Sequence, residues 1–527
     1  WNQFGVRVVR EIAQSSEPGK SPPRLSILCD EDPVHLMQEI RSSLSNEFRS
    51  STSKLHQHFS RHPEKWITIR RGKATNTSDL VSLTSITTAK SVIILRDQAY
   101  EQVQSLRVVL AIDAVLANDT SYVGNLPRLP VVTFTNRHIL ATQLDNHLIE
   151  ISRGNHKARR YINYIPLSTE DIRHGVETQV SRHRGLSAVY QDLLNFGGNE
   201  LYIVEGSRFG GTFGDLLLNA THSIPLFVIS ASGLNMWPDW DTPLSNSKVV
   251  LLAECRYDAE RTPQASAICD LSSRDLPDKH EEVAERFLFI GWNEDAERLA
   301  ISLRTVLPHG SKLTVVRRPL DTTVELSDFC GNAVVTISEF DSNPLAQSDF
   351  LSNFEHVIVF MDKSVDAGTS DASVLIDILA CRHHANHISD PAQRFTIVAE
   401  LQKRSSRYIA GDRLADDLLI NDSLLASAAV QLAFAPELEE VYLALLSVDD
   451  PVELVTRRIS LWNRSLDGST WDNIISSTAR ETGEIPIGFR RLVNRQPVVL
   501  LNPSRSTVCS GDDEVVLLSH RKSARSI

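Results

Sequence analysis

Most of this 527-residue chain is written twice. Trp1-Asn2-Gln3-Phe4-Gly5, opening an amphipathic helical stretch, returns as Trp292-Asn293-Glu294-Asp295-Ala296. Leu25-Ser26-Ile27-Leu28-Cys29 pairs with Leu313-Thr314-Val315-Val316, and Val92-Ile93-Ile94-Leu95 with Val357-Ile358-Val359-Phe360. Val131-Val132-Thr133-Phe134 matches Thr396-Ile397-Val398-Ala399. Ile224-Pro225-Leu226, after Phe213-Gly214-Asp215, matches Ile485-Pro486-Ile487, after Trp471-Asp472-Asn473. A chain with such an internal repeat builds each half from the same supersecondary units.

Short apolar strands alternate with helical segments in both halves, which is the pattern of βαβ units around a parallel sheet. The expected fold class is therefore α/β, with two tandem units, each a Rossmann-like lobe, a helical crossover and a small α+β lobe. The first Rossmann lobe is expected at 1–165, with crossover and small lobe at 166–257. A polar linker follows at 258–284, then the second Rossmann lobe at 285–415 and the second crossover and small lobe at 416–527. In the second copy Phe287-Leu288-Phe289-Ile290 and Gly291 precede the Trp, whereas the first copy opens on Trp1. The first strand of the first lobe is thus expected to lie upstream of this sequence. The copies stand 291 residues apart at the Trp pair, 265 at Asp97 and Asp362, and 261 at Pro225 and Pro486. The extra residues fall in the Ser/Arg/His-rich stretch 42–65, which reads as an extended or poorly structured excursion.

Composition narrows the function. The net charge of −12 offers no basic stripe for nucleic acid. The six cysteines are far apart and form no metal-ligand spacing, which fits a reduced, cytoplasmic setting. No apolar run of 18 residues occurs, the richest stretch, 424–446, being broken by Gln431, Pro436 and Glu437. There is no GxSxG, HExxH or P-loop, so catalytic residues are expected to be none and the chain is expected not to be an enzyme.

A dinucleotide fingerprint needs glycine for the turn, glycine for close approach to pyrophosphate, and a small residue for packing. Gly291-Trp292-Asn293-Glu294-Asp295-Ala296 keeps the first and third and puts Asn in the middle, with two acids where an anion would sit. The first copy keeps Asn2 and Gly5, and its second strand ends in Asp30-Glu31-Asp32. Candidate cofactor-binding residues are therefore Asn2, Gly5, Asp30, Asp97, Gly291 and Asp362. Asp97 and Asp362 close the matching third strands, at the carboxyl edge where open α/β sheets bind ligands, and either can instead cap the next helix. Asp30, Glu31 and Asp32 are the candidate metal ligands, since carboxylate oxygens suit a hard cation. Cys381, His383, His384 and His387 read rather as a helix end meeting its dipole.

Gly72-Lys73-Ala74-Thr75, Leu80 and the run Ile86-Thr87-Thr88-Ala89-Lys90-Ser91-Val92-Ile93-Ile94-Leu95 resemble the third βαβ element of RCK (TrkA-N type) domains. The Trp-Asn pair of each copy, Leu288-Phe289-Ile290-Gly291-Trp292, Asn421-Asp422-Ser423-Leu424-Leu425 and Gly511-Asp512-Asp513-Glu514-Val515 are similar to the CASTOR/POLLUX family of RCK-bearing ion channels. The resemblance implies the cytosolic, ligand-sensing gating region of a cation channel, potassium-type, whose transmembrane pore helices lie upstream and tie it to a membrane. It implies self-association into a tetrameric ring of eight RCK units, and calcium or a nucleotide as ligand at the first unit. The alternatives are an NAD(P)-dependent oxidoreductase and a peripheral TrkA-like subunit of a transporter.

Overall fold

The computed structural model describes the chain except residues 16–22, 51–53, 96–100, 119–127, 136–160, 195, 197, 263–282, 319–333, 339–344, 346–347, 390–393, 404–405, 408, 411–413, 420–421, 448–449, 494–495 and 521–527. Asp97 therefore lies outside the described residues. The chain divides into two compact bodies, and the division does not follow the two copies. One body holds Trp1–Ile172, Leu194–Gly197 and Asp422–Tyr442; the other holds Arg173–Leu193, Gly198–Asn421 and Leu443–Ile527.

In the first body, helix α1 (Gln3–Gln14) is followed by β1 (Leu25–Cys29), α2 (Pro33–Glu47), α3 (Lys54–Arg61) and β2 (Ile67–Arg71). Then come α4 (Thr77–Thr84), β3 (Val92–Ile94), α5 (Glu101–Asn118), β4 (Leu129–Thr135) and β5 (Ile162–Ser168). The strands pair in parallel as β1-β2 and as β3-β4-β5. Ile112 and Leu116 of α5 pack on Val131 and Ile162, with Leu28 of β1 against the same cluster. The stretch 42–65 departs from the expected excursion: α2 runs through its first residues and α3 follows. The reason is legible afterwards. Leu36, Ile40 and Leu44 recur at helical spacing and are fully buried, Asp32 caps the helix by accepting from His35 N, and Pro33 stands at its first position. Strand β2, which the sequence reading missed, alternates buried Ile67 and Ile69 with exposed Thr68 and Arg70.

The second body contains the second Rossmann sheet: β10 (Arg286–Ile290), β11 (Lys312–Val316), β12 (Val334–Ser338), β13 (His356–Val359), β14 (Thr396–Ala399) and β15 (Asp417–Leu418). All pairs are parallel, in the order β12-β11-β10-β13-β14-β15. That is the 3-2-1-4-5-6 order of the doubly wound dinucleotide fold. Helices α10 (Glu294–Val306) and α12 (Ala367–His387) follow β10 and β13. Central β10 pairs with both β11 and β13; in the first lobe, the corresponding position between β1 and β3 has no strand among the described residues.

The same body holds both small lobes. Their antiparallel sheets share one order: β6 (Glu200–Glu205), β9 (Lys248–Ala253), β7 (Ser223–Ser230), β8 (Gly233–Asn235) in the first, and β16 (Val452–Arg458), β19 (Glu514–His520), β17 (Ile485–Val493), β18 (Gln496–Leu501) in the second. The pairing of β7 with β9 slips between Pro225 and Phe227, and that of β17 with β19 between Pro486 and Gly488, so the repeated Ile-Pro marks a repeated bulge. No helix among the described residues is long and apolar enough to cross a membrane.

The crossovers explain why the bodies cut across the copies. The first consists of α6 (Thr169–Arg182) and α7 (Leu186–Leu194), broken at Gly185, whose φ of +85° suits glycine. The second consists of α13 (Asp422–Phe434) and α14 (Glu439–Leu446). Helix α13 packs on α1, β3 and β4 of the first lobe, while α6 from Arg173 onward docks on the second. Each copy thus gives its crossover helix to the other copy's sheet. Equivalent glutamines hold the exchange. Gln179 accepts from Tyr190 Oη at 2.6 Å and Leu454 N at 3.1 Å, and Gln431 donates to Leu194 O at 3.3 Å. At Gly175 an added Cβ would lie 1.8 Å from Leu446 O, so the helices touch backbone to backbone there.

Candidate functional site

In an open α/β sheet the ligand crevice lies beyond the carboxyl ends of the strands, where β10 and β13 diverge to opposite neighbours. In the second lobe this crevice is filled by the chain's own polar groups. Gly291 turns the chain off β10 at φ +85°, and Asn293 caps α10 by accepting from Asp295 N and Ala296 N, both at 2.9 Å. The Asn293 amide donates to Met361 O at 2.9 Å and to Glu400 Oε2 at 3.0 Å. Glu400 also accepts from Met361 N at 3.1 Å. Lys363 Nζ stands 2.6 Å from Asp295 Oδ2, and Arg173 of α6 stands 3.7 Å from Asp295 Oδ1.

Beside this network, Arg318 at the end of β11 donates to Phe360 O and to Asp377 Oδ2, both at 2.7 Å. An added Cβ on Gly291 would come 2.5 Å from the Arg318 guanidinium. The glycine that would admit a pyrophosphate thus admits an arginine instead. The amide N–H groups that would bind an anion are already taken by Asn293, and Asp295 and Glu400 set negative charge beside them.

Burial governs the electrostatics. It pushes the Glu400 carboxyl up to about 7, aided by the neighbouring Asp295 charge, and raises Glu177, also on α6, well above the ordinary glutamate range. Burial works on Asp295 in the same sense, but the Lys363 ammonium, with Arg173, holds it below the usual aspartate value. Asp377 is raised by burial, which Arg318 only partly offsets.

The sequence candidates fall in different places. Gly291 lines this crevice, while Asp362 sits next to it, its carboxyl lowered chiefly by the Ser364 hydroxyl, which donates at 2.6 Å. Asn2 caps α1, accepting from Gly5 N at 3.2 Å; Gly5 faces Leu95 and Trp1, where an added Cβ would stand 2.7 Å from Leu95 Cδ1. Asp30, Glu31 and Asp32 lie exposed on the turn after β1, and Asp32 uses one oxygen to cap α2. No group of three or more His, Cys, Asp or Glu that could hold a metal ion is found among the described residues. Cys381 is buried, its thiol pushed up to about 12 by burial, while His383 and His387 are exposed on another face of α12. Sequence reasoning missed Lys363, Glu400, Arg173 and Glu177. The one local signal was the i, i+4 pair Arg173–Glu177 in a helix otherwise rich in buried positions.

Residues 171–269, from the first crossover through the first small lobe and beyond, match the family model described as Castor and Pollux, part of voltage-gated ion channel. The chain is 22% identical over 377 residues to the ion channel CASTOR of Lotus japonicus, which takes in 62% of this chain and 43% of that protein. It is 23% identical over 394 residues to the probable ion channel POLLUX of Arabidopsis thaliana, taking in 65% and 46%. The chain is similar to the Castor and Pollux ion channels. The match to these Castor and Pollux proteins spans less than half of their length. Among solved structures, the human SLO3 gating ring aligns with a TM-score of 0.58 at 14% identity, over 95% of this chain and 100% of that one. That likeness shows the fold. The chain carries two tandem units in the fold of that gating ring, each a Rossmann-like lobe, a crossover and a small α+β lobe.

Proposed function

We propose that this chain is the cytosolic gating region of a Castor- and Pollux-like cation channel, potassium-type, that acts by moving linked lobes and not by catalysis. The observation that carries the reading is the reciprocal exchange of crossover helices, because a shift within either lobe is then transmitted through the helix of the other copy. A ligand preferring one arrangement biases a linked pore by its differential affinity, about 1–3 kcal/mol per coupling. The likeness to the Castor and Pollux ion channels supports a pore carried by an upstream segment. We assign assembly as a tetrameric ring of eight RCK units, with the membrane reached through that upstream segment.

We place ligand sensing at the first unit, with a nucleotide against Asn2 and Gly5, or with calcium at the Asp30-Glu31-Asp32 turn if further ligands join it from outside the described residues. The second crevice is taken by its own side chains and is left to couple. Planar-bilayer recording of the protein with its upstream segment, in opposed potassium and sodium gradients, tests the main reading. Potassium-selective current whose open probability changes when residues 1–527 are deleted is expected; no current, or current indifferent to the deletion, overturns it. Titration calorimetry of the 527-residue chain with calcium chloride and with NADH separates the ligands. Heat that disappears in Asp30→Asn favours calcium, and heat that disappears in Gly5→Val favours the nucleotide.

A further inference from the structure

The second crevice holds more buried carboxyl groups than cations to pair with them. Helix α6 contributes Arg173 and Glu177, α10 contributes Asp295, the turn after β13 contributes Lys363, and the turn after β14 contributes Glu400. Arg298 reaches Asp295 at 3.5 Å from the solvent side of α10 and also faces exposed Glu294. Three carboxyls thus face Arg173 and Lys363, with Arg298 at the rim.

Two features oppose full ionisation of the set. Glu177 is 4% exposed, and among the described residues its carboxyl accepts no hydrogen bond. A buried carboxylate without a donor is the costliest form that side chain can take. Glu400 is buried beside the Asp295 charge, and burial together with that charge pushes its carboxyl up to about 7. The ammonium at 2.6 Å from Asp295 keeps that carboxyl ionised, which leaves Glu400 as the partner that more readily holds a proton.

We propose that the crevice is a proton-operated latch on the crossover helix: α6 is docked while Glu177 and Glu400 carry their protons, and it is released from the second lobe when they ionise. Protonated, the crevice sets Asp295 alone against Arg173 and Lys363. Ionised, it sets three carboxylates against the same two cations, and Glu177 is the one mounted on the element that can leave. Burial raises both glutamates, Glu400 to about 7, which puts the change near neutrality. The sign follows from proton counting. The docked state binds more protons than the released state, so docking weakens as pH rises from the ordinary carboxylate range through neutrality.

Hydrogen exchange of the 527-residue chain, read by mass spectrometry from about pH 6 to about pH 8.5 and corrected for intrinsic rates, tests the latch. Peptides from 173–182 and 294–303 are expected to lose protection by about tenfold or more across that range, while peptides of β7 and β9 do not. The double variant Glu177→Gln, Glu400→Gln mimics the protonated crevice and is expected to hold its protection flat. Lys363→Met removes a cation that favours ionisation and is expected to move the midpoint to higher pH. Wild-type protection independent of pH, or a double variant that follows the wild-type curve, overturns the latch. Should the double variant not fold, a Lys363→Met midpoint that stays in place or falls overturns it equally.

Discussion

The two Rossmann lobes receive the same kind of helix and close on it in opposite ways. Gln179 precedes Tyr190 by the same number of residues that separates Gln431 from Tyr442, so α6 and α13 correspond position by position. Arg173 and Glu177 of α6 then correspond to Leu425 and Ala429 of α13. In the second lobe the helix brings charge into a network with Asp295, Lys363 and Glu400; in the first, Leu425 is 2% exposed and Ala429 fully buried against α1 and the sheet. Among the described residues the first lobe keeps one buried carboxyl at its contact with the helix, Glu11, raised by burial and hydrogen-bonded to Ser427. An apolar contact is non-directional and indifferent to protons, whereas a buried ionic contact depends on protonation and on every member being paired. One scaffold thus supports a fixed joint and an adjustable one.

Transplanting charge into the fixed joint breaks the comparison most severely. Leu425→Arg with Ala429→Glu buries two charges where no network receives them, and is expected to cost about 4 kcal/mol or more, enough to unfold the first body. Urea unfolding followed by circular dichroism reads this directly; a variant within about 1 kcal/mol of wild type would mean that α13 does not bury this face. The caps give a graded version. Asn293→Ala removes the cap of α10 together with the two bonds to Met361 and Glu400, and is expected to cost about 2–3 kcal/mol. Asn2→Ala removes one cap bond of 3.2 Å and is expected to cost about 1 kcal/mol. Equal losses would remove the distinction between a residue that only caps and one that also stitches a crevice.

What was legible in the sequence follows from how local each cause is. The α/β class and the repeat could be read because strand runs such as Phe287–Ile290 and Val357–Val359 are short, apolar and regularly spaced. Helix α2 was equally local, with Leu36, Ile40 and Leu44 in phase, but the Ser, Arg and His around them hid the period. The exchange of crossovers could not be read, because an apolar helix such as α13 does not say which sheet will cover it. The crevice was the least legible. Lys363, Glu400 and Glu177 are each an ordinary surface residue in sequence terms, and only the parallel sheet and the exchanged helix bring them together. The glycine motif pointed to the right place for a different reason, since Gly291 makes room for Arg318.

The smallest expected effect is the most discriminating. Arg173→Leu with Glu177→Ala gives the second lobe the residues of the first, and replacing buried ionisable side chains by apolar ones is often neutral or stabilising. Glu177 has a native pKa above its unfolded value, so the folded protein binds more protons than the unfolded one, and this residue makes stability fall as pH rises through the window above the ordinary glutamate value. Deleting it removes that penalty where it is largest. The variant is expected to match wild type near pH 5 and to exceed it by about 1 kcal/mol near pH 8, in urea unfolding at matched ionic strength. Part of the slope should survive, because Glu400 remains beside Asp295. A variant that loses stability at both pH values would show that Arg173 and Glu177 hold α6 in place by attraction, and the adjustable joint would then be a rigid one built from charges.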